Sequence, residues 1–174
     1  MSQILTQIVP QPHPDSTPTV ITCAVITVSD TRTVDTDQSG QLIQQLLLES
    51  NHRVGFYKVL KDEPDDLRTA IAFLQQRSDI QVLLFNGGTG ISPRDTTYDA
   101  IVALLDKILP GFGELFRMLS YAEIGSRAMA SRAVCGTIGN QILFSMPGSS
   151  GAVKLAMETL ILPEMAHLIG QLRG

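Results

Sequence analysis

The stretch that decides the fold runs from Asp79 to Ile101 and reads DIQVLLFNGGTGISPRDTTYDAI. Residues 80–85 are an apolar run typical of a buried strand, and an amphipathic helix is predicted to open at residues 95–97. Between them, three of the five residues 86–90 (Asn-Gly-Gly-Thr-Gly) are glycines and have no side chain. A strand, a glycine loop and a helix in this order bring backbone N–H groups up to a phosphate. Asp95 follows the loop, and it indicates a metal ion beside the phosphate, because an acid alone would repel the anion.

The composition excludes several classes of protein. With 174 residues, 44% of them hydrophobic and 17% charged, the chain is expected to form one globular domain. A net charge of −4 and the lack of any lysine-arginine cluster argue against nucleic acid as a partner. No apolar run approaches the roughly 20 residues that span a bilayer, so no membrane association is expected. No secretory signal is visible either, and Cys23 and Cys135 are interpreted as buried thiols, so the expected location is cytoplasmic.

The pattern of apolar residues divides the chain in two. Four prolines in residues 1–18 predict an extended N-terminal arm, and residues 19–174 are predicted to form a single α/β domain. Strands are predicted at residues 20–28, 54–60, 80–85, 133–138 and 141–146. Helices are predicted around residues 42–47, 67–74, 98–105, 112–119, 153–161 and 165–172, with a restart of the chain at Pro163. This order implies a mostly parallel sheet with helices on both faces, to which a type II′ hairpin at Gly139-Asn140 adds one antiparallel strand.

Small and acidic residues follow four of the predicted strands. In a parallel sheet, ligands bind beyond the carboxyl ends of the strands, so these residues are expected to share one pocket. They are Ser29 and Asp30 after the first strand, Asp62 and Glu63 after the second, the glycine loop with Asp95 after the third, and residues 147–151 after the hairpin.

Each of these motifs also has a plainer interpretation. The glycine loop fits neither the P-loop nor the dinucleotide fingerprint, and it could be a tight turn without a ligand. Asp62 and Asp95 could be helix caps, although together they suit Mg²⁺, which favours one or two carboxylates plus substrate phosphates. Arg94 could contact a phosphate or pair with an acid.

Two serines before predicted helices pose a similar choice. Ser39, in Asp37-Gln38-Ser39-Gly40, and Ser149, in Pro147-Gly148-Ser149, could each cap a helix or donate a hydroxyl to a phosphate, and Asp37 is the other candidate for the first of these caps. Residues 148–151 do not fit a nucleophile elbow and no histidine is placed to serve them, so serine hydrolysis is rejected.

With these residues the chain closely resembles the MoaB/Mog family of molybdenum cofactor biosynthesis proteins, which includes the gephyrin G domain. The matching motifs span residues 20 to about 165 in the family's order, and the segment 112–125 looks more like the MoaB branch. The motifs are Thr27-Val28-Ser29-Asp30, Asp37-Gln38-Ser39-Gly40, Asp62-Glu63-Pro64, Gly87-Gly88-Thr89-Gly90 with Arg94-Asp95, Pro110-Gly111-Phe112-Gly113-Glu114, Ser131-Arg132-Ala133 and Met146-Pro147-Gly148-Ser149.

The resemblance implies a three-layer α/β/α fold, a homo-oligomer (a trimer or a dimer of trimers), and adenylyl transfer from ATP to molybdopterin with Mg²⁺ as cofactor. It maps the catalytic and metal-binding acids to Asp62 and Asp95. The residues that would hold phosphate and pterin groups are Ser29, Asp30, Ser39, Gly40, Gly87, Gly88, Thr89, Gly90, Pro147, Gly148 and Ser149. The alternative is a non-catalytic protein that binds or delivers molybdopterin.

Overall fold

A six-stranded sheet forms the middle layer of the computed structural model, which describes residues 20–173; the predicted arm, residues 1–18, lies outside this range. The strands are β1 (Thr22–Val28), β2 (Arg53–Leu60), β3 (Val82–Asn86), β4 (Lys107–Leu109), β5 (Val134–Ile138) and β6 (Gln141–Met146). Their order across the sheet is β2-β1-β3-β6-β5-β4. Strands β2, β1, β3 and β6 are mutually parallel, and β5 runs antiparallel to both of its neighbours.

Helices cover both faces of the sheet. They are α1 (Gln38–Glu49), α2 (Pro64–Gln75), α3 (Thr97–Val102), α4 (Pro110–Ile124), α5 (Ser150–Ala156) and α6 (Leu162–Arg173). Helices α1, α4, α5 and α6 pack on one face, and α2 and α3 pack on the other. In β1, Val25 points into the first core and Ile26 into the second, because successive side chains of a strand alternate between faces. The predicted three-layer, mostly parallel fold is therefore confirmed.

Several boundaries differ from the sequence prediction. Strand β3 begins at Val82, because Ile80 still closes a turn through its N–H to the Arg77 carbonyl (3.1 Å). Helix α3 ends at Val102, three residues before the predicted end. Strand β4 was not predicted, since three residues between two helices are too few to show an alternating pattern.

The predicted restart at Pro163 is wrong. The helical path continues from Ser150 to Arg173 through a π-helical stretch, Met157–Ile161, where the Leu162 N–H donates to the Met157 carbonyl. A proline lacks an N–H and crowds the carbonyl four residues before it, and a π turn shifts the hydrogen-bond pattern at that point. The local widening lets the helix accept Pro163.

The hairpin between β5 and β6 is present, and Gly139 adopts φ = +54°, as the first central position of a type II′ turn requires. Within residues 20–173, no helix is both long enough and apolar enough to cross a bilayer.

Candidate functional site

Three chain segments meet at the carboxyl ends of β1, β3 and β6, and their contact requires glycine. Gly87 has φ = +97°, and a Cβ there would lie 2.2 Å from the Val28 carbonyl oxygen. A Cβ on Gly148 would lie 3.1 Å from the Gly87 Cα. A Cβ does not fit at Gly87, and one at Gly148 would push Gly87 away by a few tenths of an ångström, so glycine at both positions lets the backbones approach closely below an open cleft.

The cleft has a volume of about 560 Å³ and brings together most of the predicted site residues. Those that line it are Ser29, Gly87, Gly88, Thr89, Gly90, Asp95, Pro147, Gly148 and Ser149. The remaining ones, Asp30, Ser39, Gly40 and Asp62, lie beside or beneath it.

Two larger surface clefts lie elsewhere. One of about 690 Å³ is at the opposite end of the sheet, and one of about 800 Å³ runs between β2 and α2. We assign the site to the smaller cleft, because ligands of parallel sheets bind at the carboxyl ends of the strands and only there do the glycine loops converge.

The glycine loop presents unclaimed hydrogen-bond donors. Within residues 20–173, the N–H groups of Gly88, Thr89, Gly90 and Ile91 have no protein acceptor. The Gly87 N–H, in contrast, donates to the Met146 carbonyl (3.0 Å) and ties the loop to β6. Consecutive N–H groups of this kind form a cradle for an anion.

Asp62 is enclosed beneath the loop, with 5% of its surface exposed. Its Oδ1 accepts hydrogen bonds from the Thr96 N–H (3.1 Å), the Thr96 hydroxyl (2.7 Å) and the Thr97 hydroxyl (3.1 Å). Its Oδ2 faces Gly88, where a Cβ would lie 2.4 Å from it. Asp62 therefore joins the end of β2 to the start of α3 and supports the loop from below.

Asp95 lies in the wall of the cleft. Its Oδ2 accepts a hydrogen bond from the Ser92 N–H (3.1 Å), which folds the carboxylate back toward Gly90. Within the described residues, no cluster of three or more histidine, cysteine or acidic side chains could enclose a metal ion.

Arg94 forms ion pairs with acidic side chains, which is one of the two roles, phosphate contact or pairing with an acid, that the sequence left open. Its guanidinium donates to both oxygens of Asp30 (2.8 and 3.0 Å) and bonds Glu63 (2.7 Å). These hydrogen bonds from Arg94, followed by one from the Asp62 N–H, hold the pKa of Asp30 below its usual value. Asp30 thus fastens the segment after the glycine loop to the ends of β1 and β2.

A buried polar network lies under the cleft, centred on Asp37, which caps α1 by accepting from the Gly40 N–H (3.0 Å). Asp37 also accepts from the Tyr57 hydroxyl (2.7 Å). The Ser39 hydroxyl lies 3.0 Å from Asp37 and 2.9 Å from the Asn86 Oδ1 at the end of β3. The cap is therefore Asp37, while Ser39 links α1 to β3.

The hydrogen bonds in this network outweigh the cost of burial. Burial alone would raise the pKa of Asp37, but hydrogen bonds from Thr27, Gly40, Tyr57 and Ser39 together hold it below its usual value. Burial and the Asp37 carboxylate both raise the pKa of Tyr57, so its hydroxyl stays protonated and remains a donor.

Three arginines at the site were missed by sequence reasoning. Arg32 and Arg127 line the cleft, and Arg32 donates to the Ser39 hydroxyl and to the Gly148 carbonyl (3.3 Å). Arg132 donates to carbonyls of the glycine loop. They are isolated in the sequence, so no local pattern marks them; for Arg132, only its place in the Ser131-Arg132-Ala133 motif gave a signal.

Comparisons with known proteins agree on one family. A family described as "Probable molybdopterin binding domain" matches residues 24–167. The Molybdenum cofactor biosynthesis protein B of Bacillus cereus is 53% identical over 161 residues, covering 92% of this chain and 95% of that protein.

Solved structures give the same result. A crystal structure of a Molybdenum cofactor biosynthesis protein B superposes with a TM-score of 0.88 at 53% identity, covering 90% of this chain and 98% of the other. The tungsten cofactor synthesizing protein MoaB from Pyrococcus furiosus superposes with a TM-score of 0.80 at 36% identity, covering 91% and 100%.

The buried network predicts a pH-dependent stability. We expect Asp37→Asn to lower the free energy of unfolding at pH 7 by about 2–3 kcal/mol, because charge-assisted hydrogen bonds are lost while an amide can still cap α1. Since the folded-state pKa of Asp37 is lowered, the wild-type advantage is complete above the pKa of an unfolded aspartate, about 3.9, and is lost as the pH falls through the folded-state pKa. Urea denaturation between pH 3 and 7 measures it, with exposed Asp35→Asn as control; a pH-independent difference would contradict the assignment.

The packing of the glycine loop predicts that adding one methyl group at Gly88 lowers the stability of the protein. A Cβ at Gly88 would lie 2.2 Å from the Thr97 hydroxyl oxygen at φ = +63°, so we expect Gly88→Ala to cost at least about 1–3 kcal/mol of stability. Gly170→Ala, where a Cβ meets nothing within 4 Å, is the matched control and should stabilise α6 by about 0.5–1 kcal/mol. Urea denaturation of both variants checks this, and wild-type stability of Gly88→Ala would refute the tight packing at Gly88.

Proposed function

The chain belongs to the MoaB/Mog family of molybdenum cofactor biosynthesis proteins, and on this basis we propose that it binds molybdopterin and transfers AMP from ATP to the terminal phosphate of molybdopterin. The family match and the named relatives support the role in cofactor biosynthesis and the pterin ligand. The adenylyl transfer, its dependence on Mg²⁺ and the cytoplasmic location are our proposal. The buried free thiols of Cys23 and Cys135 suit a reducing compartment.

The observation that carries the proposal is the row of unclaimed N–H groups from Gly88 to Ile91, next to a cleft that also holds Asp95. A phosphate replaces water on such donors without any rearrangement of the loop. The cations of Arg32 and Arg127 line the same cleft and add positive charge for an anionic ligand. The Ser149 hydroxyl accepts from the Ala152 N–H (3.3 Å), so its own hydrogen stays available to the ligand.

In the proposed reaction, an oxygen of the molybdopterin phosphate attacks the α-phosphorus of ATP. A new P–O bond forms while the bond from the α-phosphorus to the oxygen bridging to the β-phosphate breaks, and pyrophosphate leaves with that electron pair. The protein provides no covalent nucleophile. Its residues hold two anions in line and offset their repulsion, which is how most phosphoryl-transfer sites work.

The acids of the site fit a magnesium ion only together with substrate phosphates. Asp95 lies at the cleft, and one of its oxygens is held by the Ser92 N–H, which leaves the other to face an ion. We assign Asp95 and Asp62 to holding Mg²⁺, which usually takes one or two carboxylates and completes its shell with phosphate oxygens and water. The ion would neutralise charge on the reacting phosphates.

A second function, binding or delivery of molybdopterin without reaction, is favoured by the position of Asp62. One oxygen of Asp62 already accepts three hydrogen bonds, and the residue does not line the cleft. An acid that only supports the loop would leave Asp95 as the single acid at the cleft within residues 20–173, and a pterin could then bind without being adenylated.

One assay separates the two functions. Incubation with ATP, Mg²⁺ and molybdopterin should release pyrophosphate, and we expect Asp95→Asn and Asp62→Asn each to lower turnover by about 10²-fold, the scale of one lost transition-state interaction. Asparagine at residue 62 keeps an oxygen for Thr96 and Thr97, so a loss of turnover there reports the loss of charge. Binding of molybdopterin should persist in both variants.

The control for this assay is Asp65→Asn, which removes an exposed acid from the first turn of α2. It should leave turnover at the wild-type level. Wild-type turnover in Asp62→Asn would show that Asp62 only supports the loop and has no role in the transfer. Tight pterin binding by the wild type without pyrophosphate release would select the delivery function.

The homo-oligomer is also proposed, because α4 exposes an apolar stripe. Leu115, Met118, Tyr121 and Ile124 are 47–65% exposed, and a stripe of this kind on a monomer usually marks an interface. We expect the wild type to be a trimer or a dimer of trimers by light scattering, and Met118→Glu to shift it to smaller species. Leu48→Glu, on a separate exposed apolar residue of α1, is the control. A monomeric wild type would refute the interface.

A further inference from the structure

We propose that Arg132 is a positioning residue that turns two successive peptide groups of the glycine loop, so that their N–H groups face the bound phosphate. This inference rests on the proposed binding of a phosphate-ended ligand in the cleft. It does not depend on whether the ligand is then adenylated.

The guanidinium of Arg132 holds two carbonyls of the loop, and Arg132 does not line the cleft. Its Nε donates to the Thr89 carbonyl (2.9 Å) and its Nη2 donates to the Gly90 carbonyl (2.6 Å). Two parallel N–H groups on one edge of a rigid plane thus hold two consecutive carbonyl oxygens, which fixes the direction of both peptide groups.

The direction of those carbonyls sets the direction of the neighbouring N–H groups. In a trans peptide the C=O and N–H bonds point to opposite sides, and no peptide bond in the described chain is cis. With the carbonyls of Thr89 and Gly90 turned toward Arg132, the N–H groups of Gly90 and Ile91 point the other way. These N–H groups belong to the row that lacks a protein acceptor within residues 20–173.

The Nη1 group and one face of the guanidinium are held by α3. Nη1 bonds both oxygens of Asp99 (3.0 Å each), and the plane lies over the Tyr98 ring, 4.6 Å from its centroid. Both partners come from the first turn of α3, which is the helix that Asp62 anchors through Thr96 and Thr97. Arg132 therefore acts on the ligand only through the loop, and it fixes the loop to α3.

A lysine cannot replace this arrangement. An ammonium group is a point donor without a planar fork, so it can hold one carbonyl but cannot set two peptide groups at once or stack on Tyr98. A lysine keeps the charge and most of the apolar stem, which makes Arg132→Lys a test of geometry and not of charge.

The experiment is a titration of the full chain with inorganic phosphate, followed by the amide signals of residues 88–91 in two-dimensional NMR. In the wild type these signals should shift with phosphate. In Arg132→Lys the affinity should fall by roughly 10- to 100-fold, the scale of one or two charge-assisted hydrogen bonds. The Gly90 and Ile91 signals should already differ from wild type before phosphate is added.

The matched control is Arg77→Lys. Arg77 makes the same kind of fork to Asp79 (2.8 and 2.7 Å) and contacts the Gly55 carbonyl, but it lies at the opposite end of the sheet. It should bind phosphate as the wild type does. If Arg132→Lys fails to fold, Asp99→Asn replaces it, since this change weakens the grip while keeping the guanidinium, and a several-fold loss of affinity is expected.

The transfer assay supplies a second readout that a loss of stability alone would not produce. Arg132→Lys should raise the KM for molybdopterin while leaving the KM for ATP and kcat near wild type, because the loop is proposed to hold the pterin phosphate. Unchanged phosphate affinity in the folded Arg132 and Asp99 variants would overturn the inference. Wild-type amide signals at residues 88–91 that do not shift when phosphate is added would also overturn it. A wild type that binds phosphate but releases no pyrophosphate would overturn only the transfer.

Discussion

The site depends on the backbone contact between the loop after β3 and the loop after β6. Gly87 lies so close to the Val28 carbonyl that a Cβ would not fit, and Gly148 lies so close to Gly87 that a Cβ would crowd it. This contact brings three strand ends close enough to share one cleft, and it exposes main-chain donors where side chains would otherwise stand. Because the sheet is buried on both faces, its strand ends are fixed by two cores, and the loops inherit that rigidity.

Beneath this contact, the polar network around Asp37 ties the same strand ends together from below. Asn86 donates to the Thr27 hydroxyl (2.8 Å) and meets Ser39, so that β1, β3 and α1 are joined by hydrogen bonds inside the core. Buried polar groups are costly unless they are satisfied, and those of this network have their partners. Arg32 links the network to the cleft above it through its bond to Ser39. The base of the cleft is therefore polar but already organised before any ligand arrives.

The fold could be predicted from the sequence because its signals are local: β-branched apolar runs for the strands, apolar stripes for the helices, and the Gly139-Asn140 turn. The cleft residues from Gly87 to Gly90 could be predicted because parallel strands end at one edge. The different positions of the two acids could not be predicted from the sequence, since whether Asp62 or Asp95 reaches the cleft depends on the path of α3. Arg132 was missed for the same reason, as its partners at Thr89 and Gly90 lie more than 40 positions away along the chain.

The glycine loop has two sides with opposite roles. On the outer side the protein satisfies it: Arg132 takes the carbonyls of Thr89 and Gly90, Asp62 holds the following helix, and Arg94 fastens the segment between them to Asp30. On the inner side the N–H groups are left to solvent or a ligand. Since backbone polar groups must find partners, a loop whose Thr89 and Gly90 carbonyls are held by Arg132, while its N–H groups at residues 88–91 have no acceptor within residues 20–173, is already shaped for an anion. Little conformational entropy is then lost on binding, so more of the interaction energy remains as affinity for the phosphate.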